Sequence, residues 1–138
     1  MRTAIKLFSM FHVFVYRLTG GRLLSSNSGR GFLLLTTTGR KSGRRRTRPL
    51  LYMKTDDTYV LVASFAGAPR HPAWYLNLRS NPAVTIQVKG RKRSAIAETA
   101  GPEERSRLWP KVVAVYRDYD KYQARTEREI PLVLVKED

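Results

Sequence analysis

The sequence predicts an α+β domain with six short strands and a few helices. Six segments are rich in apolar, β-branched or aromatic residues and are bounded by turn-forming residues, which is typical of strands. The segments with helical spacing lie before and between them. The chain has 138 residues, of which 42% are hydrophobic, enough for one core and too few for two. Strands of this number in one small domain can curl into a barrel.

The first element is an amphipathic helix predicted over residues 3–18. Its apolar residues recur at i, i+4, i+7 and i+11 from Leu7, while basic and polar residues fall on the opposite side. Gly20-Gly21 would end it. The predicted organisation is therefore an N-terminal helix and linker over residues 1–28, followed by one folded domain over residues 29–138.

The first predicted hairpin joins a strand over residues 32–38 to a returning strand over residues 47–54. Pro49 lies in the returning strand and has no backbone N–H, so it is acceptable there only at an edge or a bulge. A third strand is predicted over residues 59–63. The small-residue loop that follows, residues 64–71, cannot be regular throughout.

The middle of the chain holds a short helix and a second hairpin. Pro72 is predicted at the first position of a helix over residues 73–79. The hairpin pairs residues 83–88 with residues 93–99 around Lys89-Gly90.

The last third begins with a helix opened by Gly101-Pro102, with acidic residues in its first turn. Pro110 should break or kink this helix near Trp109. A second helical stretch runs to about Thr126, and residues 130–135 form the final strand.

The charge of the chain is strongly positive and unevenly distributed. The 26 Lys and Arg against 11 Asp and Glu give a formal net charge of +15, and no acid precedes Asp56. Such a field attracts phosphates, nucleic acid or anionic lipid. The absence of cysteine excludes disulfides and thiol chemistry, and two histidines without an HExxH pair give no metal site. There is no G-x-S-x-G motif, so a covalent hydrolase is not supported.

A glycine-flanked basic loop is the first candidate site. Arg40, Lys41 and Ser42, followed by the run Arg44–Arg46, offer guanidinium, ammonium and hydroxyl donors to phosphate or to several carboxylates. It is not a P-loop, because Arg40 separates Gly39 from Lys41. The alternative is a solvated basic turn, against which the flanking glycines argue.

An aromatic group is the second candidate. Tyr116, Tyr119 and Tyr122 are three residues apart and so lie on one side of a helix or tight turn, with Trp109 upstream. Their hydroxyls either donate in a site or mark the rim of ordinary amphipathic packing.

Together these segments resemble the deazaflavin-dependent nitroreductase family, from about residue 30 to the end. The matching motifs are Leu33–Gly43 with Arg46 and Pro49-Leu50, Val62-Ala63-Ser64 with Ala66-Gly67-Ala68, Pro72–Leu78 with Asn81-Pro82, Trp109-Pro110, the three tyrosines, and Ile130-Pro131. The resemblance implies a split β-barrel with peripheral helices, of the flavin/deazaflavin-reductase type. It also implies that the barrel binds reduced coenzyme F420, an 8-hydroxy-5-deazaflavin.

The resemblance also assigns roles to residues. The phosphate and polyglutamate tail would be held by Arg40, Lys41, Ser42 and Arg46. The ring and linker would lie against Pro49, Ser64, Ala66, Gly67, Ala73 and Trp74. The catalytic group, which confines the acceptor and supplies a proton, would be Tyr116, Tyr119 and Tyr122, with Tyr119 the first choice. Phe65 stands where another member has lysine, a departure at the edge of this site.

The implied activity is hydride transfer from reduced F420 to a planar electron-poor acceptor, either a quinone such as menaquinone or a nitroaromatic or nitroimidazole. Two alternatives remain. One is a basic nucleic-acid-binding barrel, which the net charge and the Lys89–Arg93 cluster support. The other is an FMN-dependent split-barrel oxidoreductase. No nucleic-acid partner is expected in the favoured interpretation, and the oligomeric state is left open.

The cellular location follows from residues 3–18. An apolar stripe backed by basic residues can lie in the interface of an anionic membrane, or it can pack on the barrel or on a second subunit. The sequence therefore predicts a cytoplasmic protein that is either free or peripherally bound to the inner face of the cell membrane.

Overall fold

The computed structural model describes residues 30–138. The helix predicted over residues 3–18, and with it the division at residue 28, lies outside the described residues.

Six antiparallel strands close into a barrel in the order β1-β2-β3-β6-β5-β4, which confirms the predicted fold class. The strands are β1 (Arg30–Thr38), β2 (Arg45–Thr55), β3 (Thr58–Val62), β4 (Ala83–Val88), β5 (Arg91–Thr99) and β6 (Leu132–Glu137). The helices are α1 (Ala73–Ser80), α2 (Pro102–Val115) and α3 (Asp118–Arg125), and a 3-10 turn spans Phe65–Gly67.

Two apolar layers hold the barrel and its helices together, because successive side chains of a strand point to opposite faces. The interior layer contains Leu33, Leu35 and Ile86, and α1 adds Tyr75 and Leu78 to it. The outer layer lies between the sheet and the helices α2 and α3. Its buried members are Leu51, Val60, Leu108, Val112, Tyr116, Tyr119, Leu132 and Leu134.

The register of β1 and β2 separates their side chains into these two layers. Directly opposed residues of an antiparallel pair share a face. Arg46 and Arg48 oppose Thr37 and Leu35, so both arginines continue the interior face. Pro49 opposes Leu34, and it therefore lies on the outer face.

The environment of Pro49 agrees with the prediction for a proline in a strand. β2 pairs with β3 only through Met53, Lys54 and Thr55, so at Pro49 the strand has a partner strand on one side only. The expected edge position is confirmed.

The sequence predicted that Pro110 breaks or kinks the helix near Trp109. The predicted break is wrong, because the helix continues through the proline. α2 continues from Pro102 to Val115 with Pro110 inside it, and the chain leaves helical geometry only at Tyr116. Leu108 and Val112 are both buried on either side of the proline, so packing holds the helix across it. Pro110 and Ser106, whose carbonyl loses its partner, are exposed to water, which can replace the missing hydrogen bond.

The short helix α1 begins at Ala73, as predicted, but the position predicted for its proline was wrong. Pro72 caps the helix in an extended conformation and is not its first helical residue. Among residues 30–138, none of the helices is long and apolar enough to cross a bilayer.

Candidate active site

A basic cleft of about 310 Å³ lies at the turn that connects β1 and β2, beside α1. The residues around it are Gly39, Arg40, Lys41, Ser42, Arg46, Arg48, Ala73, Trp74 and Asn77. Four of these residues are cationic and none is acidic. The structure thus brings together six of the predicted coenzyme-binding residues: Arg40, Lys41, Ser42, Arg46, Ala73 and Trp74.

The loop Gly39–Arg44 is closed by its own backbone. Gly39 N donates to Arg44 O at 2.7 Å, and Gly43 N donates to Gly39 O at 2.8 Å. Gly43 has a φ of 71°, a region that favours glycine. A Cβ on Gly39 would lie 2.6 Å from Ser42 Oγ. The turn itself therefore favours glycine at Gly43, and a side chain at Gly39 would displace the Ser42 hydroxyl.

Asn77 connects the basic loop to helix α1 and to the barrel. Its Oδ1 accepts hydrogen bonds from Arg40 N and from Arg40 Nη1, both at 3.1 Å. Its Nδ2 donates to Thr37 Oγ1 at 3.2 Å. Asn77 is only 5% exposed. This buried amide holds the backbone and the guanidinium of Arg40 in place at the edge of the cleft.

Arg44 and Arg45, which belong to the predicted basic run, do not line the cleft. Arg45 lies on the outer face, where its Nη1 donates to Thr38 Oγ1 at 2.9 Å and its Nη2 to Thr85 Oγ1 at 2.8 Å. Arg48, which the sequence reasoning did not select, takes part in the cleft. The alternation of strand side chains from Arg46 is the signal that would have found it.

The three tyrosines lie close together, as their spacing predicted, and they pack on the outer face of the barrel. The ring centroids of Tyr116 and Tyr119 are 5.1 Å apart with an interplanar angle of 82°. Tyr122 lies 6.2 Å from Tyr116 and 6.4 Å from Tyr119. Such edge-to-face arrangements are favourable for aromatic pairs.

Hydrogen bonding distinguishes the three hydroxyls. The Tyr116 hydroxyl donates to Asp118 Oδ2 at 3.0 Å, so its single hydrogen is used there. The 3.2 Å contact between the Tyr116 and Tyr122 hydroxyls then requires Tyr122 to donate. Within residues 30–138, Tyr119 Oη has no hydrogen-bond partner. Tyr119 is therefore the member of the cluster whose hydrogen is not used inside it.

Burial keeps Tyr119 protonated. Desolvation, together with the neighbouring Tyr116 and Tyr122, raises the pKa of Tyr119 well above its ordinary value. The phenol therefore remains a hydrogen-bond donor over the whole physiological pH range.

The loop Ser64–Ala68 lies against α3 and the tyrosine cluster. A Cβ on Gly67 would meet Tyr122 O at 2.7 Å, so this glycine permits close contact between the two segments. Ser64, Ala66 and Gly67 do not line the basic cleft, and neither does Pro49. The predicted residues thus form two groups, a cationic cleft on the interior face and a tyrosine group on the outer face, joined by the chain from Ser64 to Trp74.

The fold and the two groups define a class: a closed six-stranded barrel of the split-barrel reductase type, with a cationic cleft and a separate cluster of tyrosines. The chain matches the model of the F420H(2)-dependent quinone reductase family over residues 9–138. It is 40% identical over 128 residues to an F420H(2)-dependent quinone reductase of Mycobacterium tuberculosis, which covers 90% of this chain and 86% of that relative. The chain belongs to this family, which confirms the resemblance inferred from its motifs.

Solved structures of related proteins have the same fold. An F420-H2 dependent reductase superposes with a TM-score of 0.70 at 39% identity, covering 76% of this chain and 93% of the other. A domain-swapped dimer superposes with a TM-score of 0.71 at 32% identity, covering 99% of this chain and all of the other (100%).

Proposed function

We propose that the basic cleft holds the acidic tail of reduced coenzyme F420 and that the tyrosine group receives the hydride acceptor. As a member of the F420H(2)-dependent quinone reductase family, the protein is an oxidoreductase with reduced F420 as its cofactor and a quinone as acceptor.

The composition of the cleft carries the proposal. Arg40, Lys41, Arg46 and Arg48 surround it together with Ser42 and Asn77, without a carboxylate. Such donors suit a phosphate followed by several carboxylates, because guanidinium groups bind oxyanions through two parallel hydrogen bonds. The coenzyme tail has this chemistry, so the residues present fit the group.

Trp74 and Ala73 suggest the direction in which the coenzyme continues. Both line the cleft, and the chain that carries them leads back through Pro72 to the loop beside the tyrosines. An aromatic side chain next to a small one suits a flat ring system or its linker. We therefore place the coenzyme along the segment from Ser64 to Trp74.

The tyrosine group would act on the acceptor. When bound, the reduced coenzyme supplies two electrons as hydride, and a quinone that receives hydride also needs one proton to become a quinol. Tyr119 is protonated and its hydrogen is not used within the cluster, so it is the residue proposed to donate a hydrogen bond to the acceptor oxygen as negative charge builds there, with solvent supplying the proton of the quinol. Such a donor contributes about a hundredfold or more to the rate.

A titration tests the coenzyme assignment. Purified protein in low salt is titrated with reduced F420 and, separately, with FMN, and binding is followed by fluorescence. Micromolar binding of F420 with no comparable binding of FMN is expected. Absence of F420 binding would reject the proposal, and steeply salt-dependent retention on DNA in that case would favour the nucleic-acid alternative.

The finer nature of the acceptor and the cellular location are also proposals. We place the protein in the cytoplasm and at the inner face of the membrane, because residues 3–18 have an apolar stripe flanked by basic residues and menaquinone-like quinones dissolve in lipid. Nitroaromatic reduction is a second use of the same site. Flotation with anionic liposomes, with and without residues 1–25, tests the membrane contact; equal flotation of both forms would refute it.

A further inference from the structure

A half-buried arginine, Arg128, donates hydrogen bonds to backbone carbonyls of the loop Ser64–Ala68 and of the residue before it, and this loop borders the tyrosine group. Its Nη2 donates to Ser64 O at 2.7 Å, its Nε to Ala68 O at 2.8 Å and its Nη1 to Ala63 O at 3.2 Å. Nη1 also lies 3.0 Å from His71 Nδ1. No carboxylate forms an ion pair with Arg128 in the part of the chain that the structure describes. Backbone carbonyl dipoles and an imidazole nitrogen therefore stabilise this charge.

The loop that Arg128 holds by these hydrogen bonds has a strained backbone. Phe65, Ala66 and Gly67 have φ values of 45°, 54° and 79° in succession. This left-handed region is unfavourable for residues with a Cβ, and two of the three have one. The carbonyls that Arg128 holds lie on both sides of these residues. Strained segments persist only where the surroundings hold them, and Arg128 supplies that restraint.

The hydrogen bonds from Arg128 also fix the direction of two backbone N–H groups. In a trans peptide the carbonyl oxygen and the amide hydrogen point in opposite directions, and residues 30–138 contain no cis peptide bond. Because Ala63 O and Ser64 O point at Arg128, the N–H groups of Ser64 and Phe65 point away from it. Neither N–H has a hydrogen-bond partner among the described residues.

The charge of Arg128 strengthens these donors. A cation at the oxygen end of a peptide group draws electron density toward itself, and so makes the N–H at the other end more positive. Two such aligned donors form a site for an oxygen atom that carries partial or full negative charge. The tyrosine group is adjacent, because Gly67 of the same loop lies against the backbone of Tyr122.

We infer that Arg128 is a positioning residue for the proposed reaction, which orients the N–H groups of Ser64 and Phe65 toward a carbonyl or oxyanion oxygen of a bound reactant. That oxygen belongs either to the coenzyme ring or to the quinone. The inference rests on the proposed function, since it places the reactants beside this loop.

The experiment compares Arg128→Ala and Arg128→Lys with Arg107→Gln in the intact protein. Arg107 is a control for the loss of one arginine charge, because it is exposed on α2 and pairs with Glu104 at 4.0 Å. The measurements are the Kd of reduced F420, kcat and KM for a soluble quinone, and Tm. Arg128→Ala should lower kcat/KM by about a hundredfold, whereas Arg107→Gln should change it by less than about twofold.

The affected constant identifies the oxygen. A raised Kd for reduced F420 places the oxygen on the coenzyme, and an unchanged Kd with lowered kcat/KM for quinone places it on the acceptor. Millimolar guanidinium should partly restore Arg128→Ala, whereas urea, which has a similar shape and no charge, should not. If Arg128→Ala does not fold, Arg128→Lys serves, since it keeps a charge but loses the fork that reaches three carbonyls.

Two outcomes overturn the inference. The first is a folded Arg128 variant with wild-type Kd, kcat and KM. The second is an activity loss that urea restores as well as guanidinium, which would mean that only space is filled. If the wild-type protein itself does not bind reduced F420, the proposed function fails first, and this inference fails with it.

Discussion

Asn77 Oδ1 lies 3.1 Å from both the backbone nitrogen and Nη1 of Arg40, so one buried amide joins helix α1 to the start of the basic loop. The relationship is directional, because both hydrogens come from Arg40 and the amide nitrogen of Asn77 is committed to Thr37. A change at Asn77 should therefore affect the coenzyme tail without any change in the cations themselves.

We expect Asn77→Ala to weaken binding of reduced F420 and to lower the free energy of unfolding. It leaves Arg40 N and Thr37 Oγ1 without their partners, at a cost of about 1–3 kcal/mol. Asn77→Asp keeps an acceptor for Arg40 but adds a negative charge beside the tail, so it should weaken binding more than it lowers stability. Fluorescence titration and chemical denaturation measure the two effects. Equal affinity of all three proteins for the coenzyme would disprove the role.

Lys41→Ala should raise the Kd of reduced F420 by about tenfold to a hundredfold, because a charge-assisted hydrogen bond of this kind contributes about 1.5–3 kcal/mol. Lys89→Ala removes the same charge from the β4–β5 turn, far along β1 from the cleft, and is the matched control. Titration of both variants at two salt concentrations checks the prediction. If both raise the Kd equally, general attraction by the net charge is responsible, and the loop has no specific role.

Tyr119→Phe should reduce kcat for quinone reduction by about a hundredfold and leave the Kd of reduced F420 nearly unchanged. The reason is that the change removes one hydroxyl and keeps the packing of the ring. Tyr59→Phe is the control, since Tyr59 is equally buried but lies in the barrel core against Tyr52. Steady-state kinetics measures kcat, and fluorescence titration measures the Kd of reduced F420, for both variants. A parallel loss of coenzyme binding in Tyr119→Phe would contradict the role as hydrogen-bond donor to the acceptor.

His71 should make stability depend on pH. Burial, reinforced by Arg128 and Arg79, lowers the pKa of His71 below its ordinary value, and its other neighbour is the Tyr75 ring at 4.9 Å. The unfolded chain therefore binds this proton more readily than the folded protein. The resulting stabilisation is present above the unfolded value of about 6.5 and is lost as pH falls through the folded pKa.

The measurement is Tm between about pH 7 and pH 5 for the wild type and for His71→Gln. The wild type should lose stability over this interval more steeply than the variant. Identical slopes would show that the protonation of His71 is not linked to folding.

Most of the elements could be predicted because their signals are local. Strand propensity, turn residues and helical spacing in a single segment gave all six strands and the helix α1. Pro110 was misjudged because the rule that proline ends a helix is also local. Here the buried contacts of Leu108 and Val112 with the sheet hold the helix across the proline, and those contacts depend on residues far away in the sequence.

The candidate site was predictable in its charges and less so in its arrangement. The basic loop and the tyrosine spacing are visible in the sequence, and the resemblance to a family connected them. Asn77 and Arg128 were not found, because an isolated amide and an isolated arginine carry no signal until the loops they hold are placed beside them.

By itself, the sequence determined a barrel-forming chain, a glycine-flanked cationic loop, and a group of tyrosines at helical spacing. Only the tertiary structure decided which cations meet in one cleft, since a strand reverses its facing at every residue and so separates Arg45 from Arg46. It also decided that the cleft and the tyrosines lie on opposite faces of β2, and that Arg128 reaches back more than sixty residues to a strained loop. These relationships depend on register and long-range contact, which no local pattern in the chain encodes.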